Sequence, residues 1–587
     1  MARRTIFAED KERGKVSSFA ARKILAAWAL KIIALATLIY LTTNNVIDRI
    51  DALWTYAAYV PLAIFSLLWA LCIASFAVAS FHPKLSVRCA WGVPLALTGA
   101  LAFTFRHFTA TDLNPQEILS LWQARHEAGR ALAFYASAVP IGLGMFAFAF
   151  AAIVAPPVPS YEWVKRKSPA WAWLPLLPIA AISCVLIAKS GTSHTGFPPQ
   201  FSLLSILAYS AEKIATTTVE PRNEVNISPA SPLADHILLL VDESIRPDYV
   251  NLDPSKPLTP EMARFADRIV DFGPAASGGN CSHYSNAILR FTAARHNLTE
   301  SINRNPTLFS YAKKAGYRTV YIDGQAPRIK DTSIGSRFQN FMTFSETLAI
   351  DQIYVPESNL PTPDLDFYVL DMIEKEFAKP GKVFIYANKN GAHVPYVADY
   401  PHDGAGPGLE TPQGSGQEAL NSEYRNAVRW NVSRFFEQFF VRVDLRSSAT
   451  LYTSDHGQSL EAGKATHCVQ ENPDPRQGYV PMMAIIGDTH LRSAFTRAAG
   501  KNFAKTSHFE VAPTVLELMG YASPELNEIF ETSIFKELPA AVAFTSGDIF
   551  GVVSKSVQWN AVSLSADYLE EAAKAAIERH RLSLQQQ

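Results

Sequence analysis

Two kinds of hydrophobic pattern divide this chain. In the first third, apolar runs reach the length of roughly 20 residues that a helix needs to cross a bilayer. Beyond about residue 235 the apolar runs are short, and they alternate with stretches in which apolar residues recur at helical spacing. Strands that alternate with helices are typical of a parallel, doubly wound sheet. The pattern therefore predicts an α-helical transmembrane domain followed by an α/β domain.

The first third contains five apolar runs that we interpret as membrane spans. They cover residues 24–43, 57–81, 90–105, 131–155 and 170–189. Basic residues cluster before the first run, between the second and third runs, and between the fourth and fifth runs. Because basic loops stay on the cytoplasmic side, the odd number of spans predicts that the chain after Lys189 lies outside the cytoplasm.

The remaining pattern sets the predicted boundaries. Residues 1–189 form the transmembrane domain, 190–234 a linker, 235–555 the exported α/β domain, and 556–587 a C-terminal helix and tail. The apolar linker segment 201–209 predicts a short helix, either on the membrane surface or in a packed core. Strands are predicted at 237–241, 318–322, 383–386, 449–453 and 541–544, and helices near 262–266, 367–377, 422–440, 510–519 and 566–581.

Composition narrows the classes of function. The formal net charge of −1 argues against a dedicated nucleic-acid binder. Three of the five cysteines lie in or beside predicted spans, which leaves Cys281 and Cys468 for the exported domain. These two either form a disulfide in an oxidising compartment or remain unpaired, and the sequence leaves both alternatives open.

Acidic side chains follow two of the apolar runs. The run at 449–453 leads to Asp455 and His456, and the run at 236–241 leads to Asp242 and Glu243. Because open α/β sheets place their sites beyond the carboxyl ends of the strands, we expect these groups to converge on one cation. Oxygen and nitrogen ligands in a roughly tetrahedral set suit zinc better than calcium or magnesium.

A third segment supplies a hydroxyl group without an acid. Residues 277–286 contain a Gly-Gly pair and Ser282, and the following apolar residues can start a helix. The N-terminus of a helix presents backbone N–H groups and the positive end of the helix dipole. A hydroxyl group there is well placed to attack and hold a phosphoryl group.

Glu243, Ser282, Asp455 and His456, in this order, resemble the metal-and-nucleophile set of the alkaline phosphatase/sulfatase superfamily. Within it, the membrane-anchored phosphoethanolamine transferases are the nearest resemblance. Their nucleophile, usually a threonine, is followed three positions later by a serine, as Ser282 is followed by Ser285. The resemblance implies that Ser282 is the nucleophile, with Ser285 as the alternative, and that one Zn2+ ion or two are bound.

Other residues are implicated by the same resemblance. Asp242 stands where these transferases commonly carry glycine and resembles the paired acids of sulfatases, which makes it a candidate extra metal ligand. His393 and His467 resemble family histidines that bind substrate phosphate, protonate the leaving alkoxide or hold a second zinc. Asn114 and Glu117 resemble the segment that contacts the ethanolamine ammonium group, although an Asn-Pro helix start is the preferred explanation and does not exclude that role.

The resemblance also implies a function. It describes a multi-pass protein of the bacterial inner membrane, acting as a monomer, with its catalytic domain in the periplasm. The donor is phosphatidylethanolamine, and the acceptor is an envelope lipid or glycan, with the lipid A part of lipopolysaccharide preferred. The alternatives are a phosphoglycerol transferase, a membrane phosphodiesterase or sulfatase, and a non-catalytic relative that binds lipopolysaccharide.

Overall fold

The structure is a computed structural model. It describes residues 23, 25–562 and 581, apart from positions 56, 110–111, 124–135, 159–169, 192–193, 218–220, 251, 253–257, 326–343, 358, 403–407, 412–415, 463, 531, 540–541 and 555–556. The chain divides into two compact units. One comprises Met1–Leu119 and Tyr135–Thr216, and the other comprises Ser120–Phe134 and Thr217–Gln587.

The first unit is helical. Its helices are α1 (Leu25–Thr42), α2 (Val46–Thr55), α3 (Tyr59–Phe81), α4 (Leu85–Thr109), α5 (Pro115–Gln123), α6 (Ala138–Val154), α7 (Leu176–Ala188) and α8 (Pro199–Thr216). Among the described residues, α1, α3 and α4 are long and apolar enough to cross a membrane. The shorter apolar helices α6 and α7 lie within the fourth and fifth predicted spans. Three spans are thus supported, and the count of five stays a prediction.

Helix α8 contains the apolar segment of the predicted linker. It packs on α4 and α7, and half of its residues are buried in these contacts, among them Phe201, Leu203 and Ile206. Core packing, one of the two alternatives for this segment, is therefore what the structure shows.

The second unit is built on a seven-stranded sheet. Its strands are β1 (His236–Asp242), β2 (Ile269–Ala276), β3 (Arg318–Asp323), β4 (Gln352–Tyr354), β5 (Val383–Asn388), β6 (Ser448–Ser454) and β7 (Tyr479–Ile486). The spatial order is β2-β7-β6-β1-β5-β3-β4. The five strands from β6 to β4 are parallel, whereas β7 runs antiparallel to both β6 and β2. A second sheet pairs β8 (Val542–Gly547) with β9 (Val557–Val562). The predicted doubly wound, mostly parallel sheet is confirmed.

Helices cover both faces of this sheet. They are α9 (Pro260–Ala263), α10 (Ser282–Arg290), α11 (Leu298–Arg304), α12 (Leu308–Lys314), α13 (Phe344–Thr347), α14 (Leu365–Phe377), α15 (Gln417–Val428), α16 (Phe435–Arg442), α17 (Thr489–Asn502), α18 (Val511–Leu518) and α19 (Ser523–Ile529). Alternate residues of β1 enter two different cores, with Leu239 packed on one face and Leu238 on the other. Each such fully buried leucine contributes about 1.5–3 kcal/mol, so β1 is fixed from both sides.

Several elements differ from the prediction. Strands β2 and β7 were not expected, because Pro274 and Pro481 interrupt their apolar runs; these two prolines lie opposite each other in the antiparallel pair. The helix near 262–266 is only the single turn α9. The predicted helix 422–440 is continuous, but the segment Arg429–Arg434 between α15 and α16 is a π-helix. The predicted helix 566–581 lies outside the described residues, except for Arg581.

Candidate active site

The carboxyl ends of β1 and β6 bring two acids and an imidazole together. Asp242 pairs with Ser454 in the sheet register, and the Asp455 N–H donates to the Asp242 carbonyl at 2.9 Å. The next residues, Glu243 and His456, turn toward each other. The side-chain ligand atoms of Glu243, Asp455 and His456 all lie within 4.8 Å of one another, and all three residues are buried.

Ser282 completes this group from a third element, as the first residue of α10. Its Oγ lies 3.1 Å from Glu243 Oε2 and 3.1 Å from His456 Nε2. The approach to the helix depends on glycine, because a Cβ on Gly279 would lie 2.9 Å from the Tyr284 side chain. The Gly-Gly pair therefore allows the loop to pass beside α10 and present Ser282 to the acids.

The proton positions on His456 follow from its contacts. Its Nδ1 lies 2.7 Å from the carbonyl oxygen of Gly457, so Nδ1 carries a proton and donates it. In the neutral ring, Nε2 therefore directs a lone pair toward Ser282. This is the arrangement that an imidazole needs to bind a metal ion or to accept a proton.

In the described part of the chain, no lysine or arginine forms an ion pair with Glu243 or Asp455. Burial raises the pKa of Glu243 to about 7, and the Asp455 charge adds to the rise. Burial likewise raises the pKa of Asp455 to about 6. Asp455 Oδ1 accepts the N–H groups of Ser244 and His456, whereas Oδ2 has no hydrogen-bond partner among the described residues. Two buried acids, an imidazole and a hydroxyl group fit a zinc ion, which would compensate their charge.

The two other predicted histidines lie beside this group. The His467 ring stacks on the His456 ring, with 4.4 Å between centroids, and the His393 centroid is 6.4 Å from that of His467. His393 Nδ1 donates to the Val394 carbonyl at 2.8 Å. The structure thus brings His393 and His467 to the same site, and their roles stay predictions.

Cys281 and Cys468 form a disulfide, which decides between the alternatives that the sequence leaves open. The bond joins the residue before Ser282 to the residue after His467. The Cys468 N–H also donates to the Asn280 carbonyl at 2.8 Å. The loop of the proposed nucleophile and the loop of His467 are therefore held together covalently.

The prediction that Asp242 is an extra metal ligand is wrong. Its Oδ2 accepts hydrogen bonds from Lys389 Nζ at 2.6 Å and from the Tyr452 hydroxyl at 3.0 Å. Its Oδ1 accepts the Glu243 N–H at 3.2 Å. Successive strand residues point to opposite faces, so Asp242 faces a buried lysine while Glu243 faces the site.

Ser285 is also placed differently from its predicted role as a substrate contact. It is fully buried, and its hydroxyl group both accepts the Gly279 N–H at 2.9 Å and donates to the Gly279 carbonyl at 2.8 Å. Ser285 therefore holds the glycine loop that presents Ser282.

Asn114 and Glu117 belong to the first unit. Asn114 directly precedes α5, and Glu117 lies in the first turn of this helix. Asn114 Oδ1 accepts the Glu117 N–H at 2.9 Å. This is the capping contact that an Asn-Pro helix start makes. Both side chains are buried, and a role in binding the donor stays a prediction.

Two buried residues near Glu243 were not among the predicted site residues. Gln325 follows β3, and its Nε2 donates to Glu243 Oε2 at 3.0 Å. Lys389 follows β5 and pairs with Asp242. Both stand at strand ends on the same edge of the sheet as Glu243, which was the signal that could have identified them.

Several known proteins are similar to this chain. Residues 235–521 match the sulfatase family model. The Kdo(2)-lipid A phosphoethanolamine 7''-transferase of Salmonella typhimurium is 21% identical over 307 residues, which are 49% of this chain and 52% of that protein. The match thus spans about half the length of this relative. The lipooligosaccharide phosphoethanolamine transferase A (EptA) of Neisseria meningitidis superposes with a TM-score of 0.58 at 17% identity, over 83% of this chain and 95% of that one.

The domain at 235–521 is thus similar to the sulfatase family, in agreement with the predicted resemblance. The likeness to the EptA structure shows a shared fold, with a helical membrane region and an α/β domain. Within the superfamily the chain is similar to the phosphoethanolamine transferases, which confirms the predicted resemblance.

Proposed function

We propose that this protein transfers phosphoethanolamine from phosphatidylethanolamine to an envelope lipid, with lipid A as the acceptor. The observation that carries the proposal is the position of Ser282 Oγ, 3.1 Å from both the Glu243 carboxylate and His456 Nε2. The names of the relatives supply the head group and the acceptor class. The membrane helices anchor the chain in the bilayer in which both lipids reside.

The proposed reaction has two steps. Ser282 Oγ attacks the donor phosphorus, the bond from phosphorus to the diacylglycerol oxygen breaks, and the serine proton reaches that oxygen through His393 or His467. The acceptor hydroxyl group then attacks the phosphorus, the bond from phosphorus to Ser282 Oγ breaks, and the acceptor proton returns to Ser282 Oγ. Glu243, Ser282, Asp455 and His456 would hold zinc, which lowers the pKa of a bound hydroxyl group and stabilises charge on the phosphoryl oxygens.

Mapping the covalent intermediate tests this proposal. We expect the purified protein, incubated with phosphatidylethanolamine, to carry a phosphoethanolamine adduct on the peptide that contains Ser282. Ser282→Ala should lower kcat about a thousandfold or more, as for other covalent nucleophiles. It should keep most of its zinc, because three protein ligands remain.

Ser285→Ala is the matched control. It removes two hydrogen bonds to Gly279, so it should lower thermal stability and reduce transfer much less than Ser282→Ala does, with the adduct still on Ser282. An adduct on Ser285 would contradict the assignment of the nucleophile. Release of diacylglycerol without any adduct would replace the two-step route by direct transfer or hydrolysis.

We further propose that the protein is a monomer with five spans in a bacterial inner membrane and that residues 235–555 lie in the periplasm. The apolar helices α6 and α7 and the basic segments between spans support this topology. Reporter fusions after Lys167 and after Lys189 should report opposite compartments. The same compartment for both would remove the fifth span.

A further inference from the structure

Glu243 is held by a side chain that belongs to neither the metal group nor the substrate. Gln325 is almost fully buried, and its Nε2 donates one hydrogen to Glu243 Oε2 at 3.0 Å and the other to the Lys389 carbonyl at 2.7 Å. Glu243 Oε2 is also the oxygen that accepts the Ser282 hydroxyl. Gln325 therefore acts on the atom that orients the proposed nucleophile.

The direction of the Gln325 amide is fixed by its partners. Both Glu243 Oε2 and the Lys389 carbonyl are acceptors, so only the NH2 group of Gln325 can face them. The other oxygen, Glu243 Oε1, accepts the Ser244 hydroxyl at 2.6 Å. A carboxylate otherwise rotates easily about its terminal torsion. With Gln325 and Ser282 donating to Oε2 and Ser244 donating to Oε1, the plane of the Glu243 carboxylate is set.

The Lys389 carbonyl is itself anchored to β1. The Lys389 N–H donates to the Val241 carbonyl at 2.8 Å, and its Nζ lies 2.6 Å from Asp242 Oδ2 and 2.5 Å from the Asn431 carbonyl. The loop then passes so close to β1 that a Cβ on Gly391, which has φ +56°, would lie 2.4 Å from the Glu243 carbonyl. The acceptor that holds Gln325 is thus immobile relative to Glu243.

We propose that Gln325 is a positioning residue for Glu243 and that Lys389, through its ion pair with Asp242, keeps Gln325 in place. The inference rests on the proposed function, because Glu243 is assigned there as a zinc ligand. Gln325 sets the orientation of the carboxylate before zinc binds, so its loss lowers zinc affinity. Side chains that orient metal ligands typically change metal affinity or activity by about 10–100-fold.

The test measures zinc affinity directly, by competition with a chelator, on the full-length protein in detergent. Gln325→Met keeps the length of the side chain and removes both donors without leaving a charge unpaired. We expect its zinc affinity to fall by about 10–100-fold. Lys389→Met, which leaves the Lys389 carbonyl in the chain, should reduce zinc affinity by a smaller factor.

Asn502→Leu is the matched control. Asn502 is a fully buried amide that donates to the Ile534 and Lys536 carbonyls and accepts the Leu538 N–H. Among the described residues, its hydrogen bonds do not reach Glu243, Asp455 or His456, so this variant should lose thermal stability and keep the zinc affinity of the wild type.

The outcomes separate the two proposals. If Gln325→Met binds zinc as tightly as the wild type does, the positioning role is overturned. A wild type that binds no zinc overturns it as well. If the wild type binds zinc and Gln325→Met binds it more weakly, yet no phosphoethanolamine transfer is found, the proposed function fails and the positioning role stands.

Discussion

Two carboxylate clusters lie next to each other at the end of β1, and they are neutralised in different ways. On one face, Asp242 and Asp366 share the ammonium group of Lys389, whose Nζ lies 2.6 Å and 3.5 Å from their oxygens. On the other face, Glu243 and Asp455 lie beside His456. In the part of the chain that the structure describes, no lysine or arginine forms an ion pair with these two acids.

The difference identifies which cluster requires a cation from outside. All the acids are fully buried, and an uncompensated buried charge is costly. In the Asp242 cluster the chain supplies one lysine for the two acids, and Asp366 also accepts two backbone N–H groups. In the Glu243 cluster the acids receive neutral hydrogen-bond donors, and the His456 imidazole and the Ser282 hydroxyl group beside them are ligands for a metal ion. The last residue of β1 and the residue after it thus serve stability and chemistry separately.

The largest expected effect tests directly which of the two clusters binds zinc. Asp455→Asn should lose bound zinc, since it replaces a charged ligand with a neutral amide, and transfer should fall below detection. Asp242→Asn should keep its zinc, because Asp242 faces Lys389. Elemental analysis of the two purified variants checks this difference. Zinc loss in Asp242→Asn alone would reverse our assignment of the two clusters.

A smaller effect concerns stability. Lys389→Met should lower the free energy of unfolding by about 3–5 kcal/mol, because removing one partner of a buried ion pair leaves an uncompensated charge. The double variant Asp242→Asn, Lys389→Met should recover part of this loss. Denaturant titration of the single and double variants provides the measurement. If Lys389→Met and the double variant had the same free energy of unfolding, the unpaired charge of Asp242 would not be the cause of the loss.

The smallest effect comes from a third acid at the same edge. Asp323 ends β3 and has neutral donors, the Gln325 N–H at 3.0 Å and the Tyr321 hydroxyl at 3.3 Å. Burial raises its pKa from 3.8 to about 6. The folded protein therefore binds this proton more tightly than the unfolded chain, so the stability from Asp323 is present below pH 4 and lost as the pH rises to about 6.

Replacing this acid should therefore help at neutral pH. Asp323→Asn should raise the free energy of unfolding by up to about 3 kcal/mol above pH 7, and by little at pH 4, because one pKa unit corresponds to about 1.4 kcal/mol. Thermal denaturation at the two pH values checks this. A gain of equal size at both would assign the effect to packing instead of charge.

The sequence predicted the parts of the fold that depend on local pattern. The runs that became β1, β5 and β6 are apolar on both faces, and the residues after them, such as Glu243 and Asp455, stand where a parallel sheet places its ligands. The antiparallel strand β7 was missed because Pro481 breaks its run. The role of Asp242 was wrong because it depends on Lys389, 147 positions away, and no local pattern announces that contact.

The π-helix between α15 and α16 constrains the length of the chain there. The Asn431 side chain donates to the Gly391 and Asp399 carbonyls. The Asn431 carbonyl accepts a hydrogen bond from Lys389 Nζ. Deleting one residue from Arg429–Arg434 would turn one end of the helix against the other by about 100°. Tyr424, whose hydroxyl holds the Ser244 carbonyl, and Phe436 in the core would then no longer fit together. The additional residue of the π-helix therefore keeps Tyr424 and Phe436 on the helix faces that their contacts require.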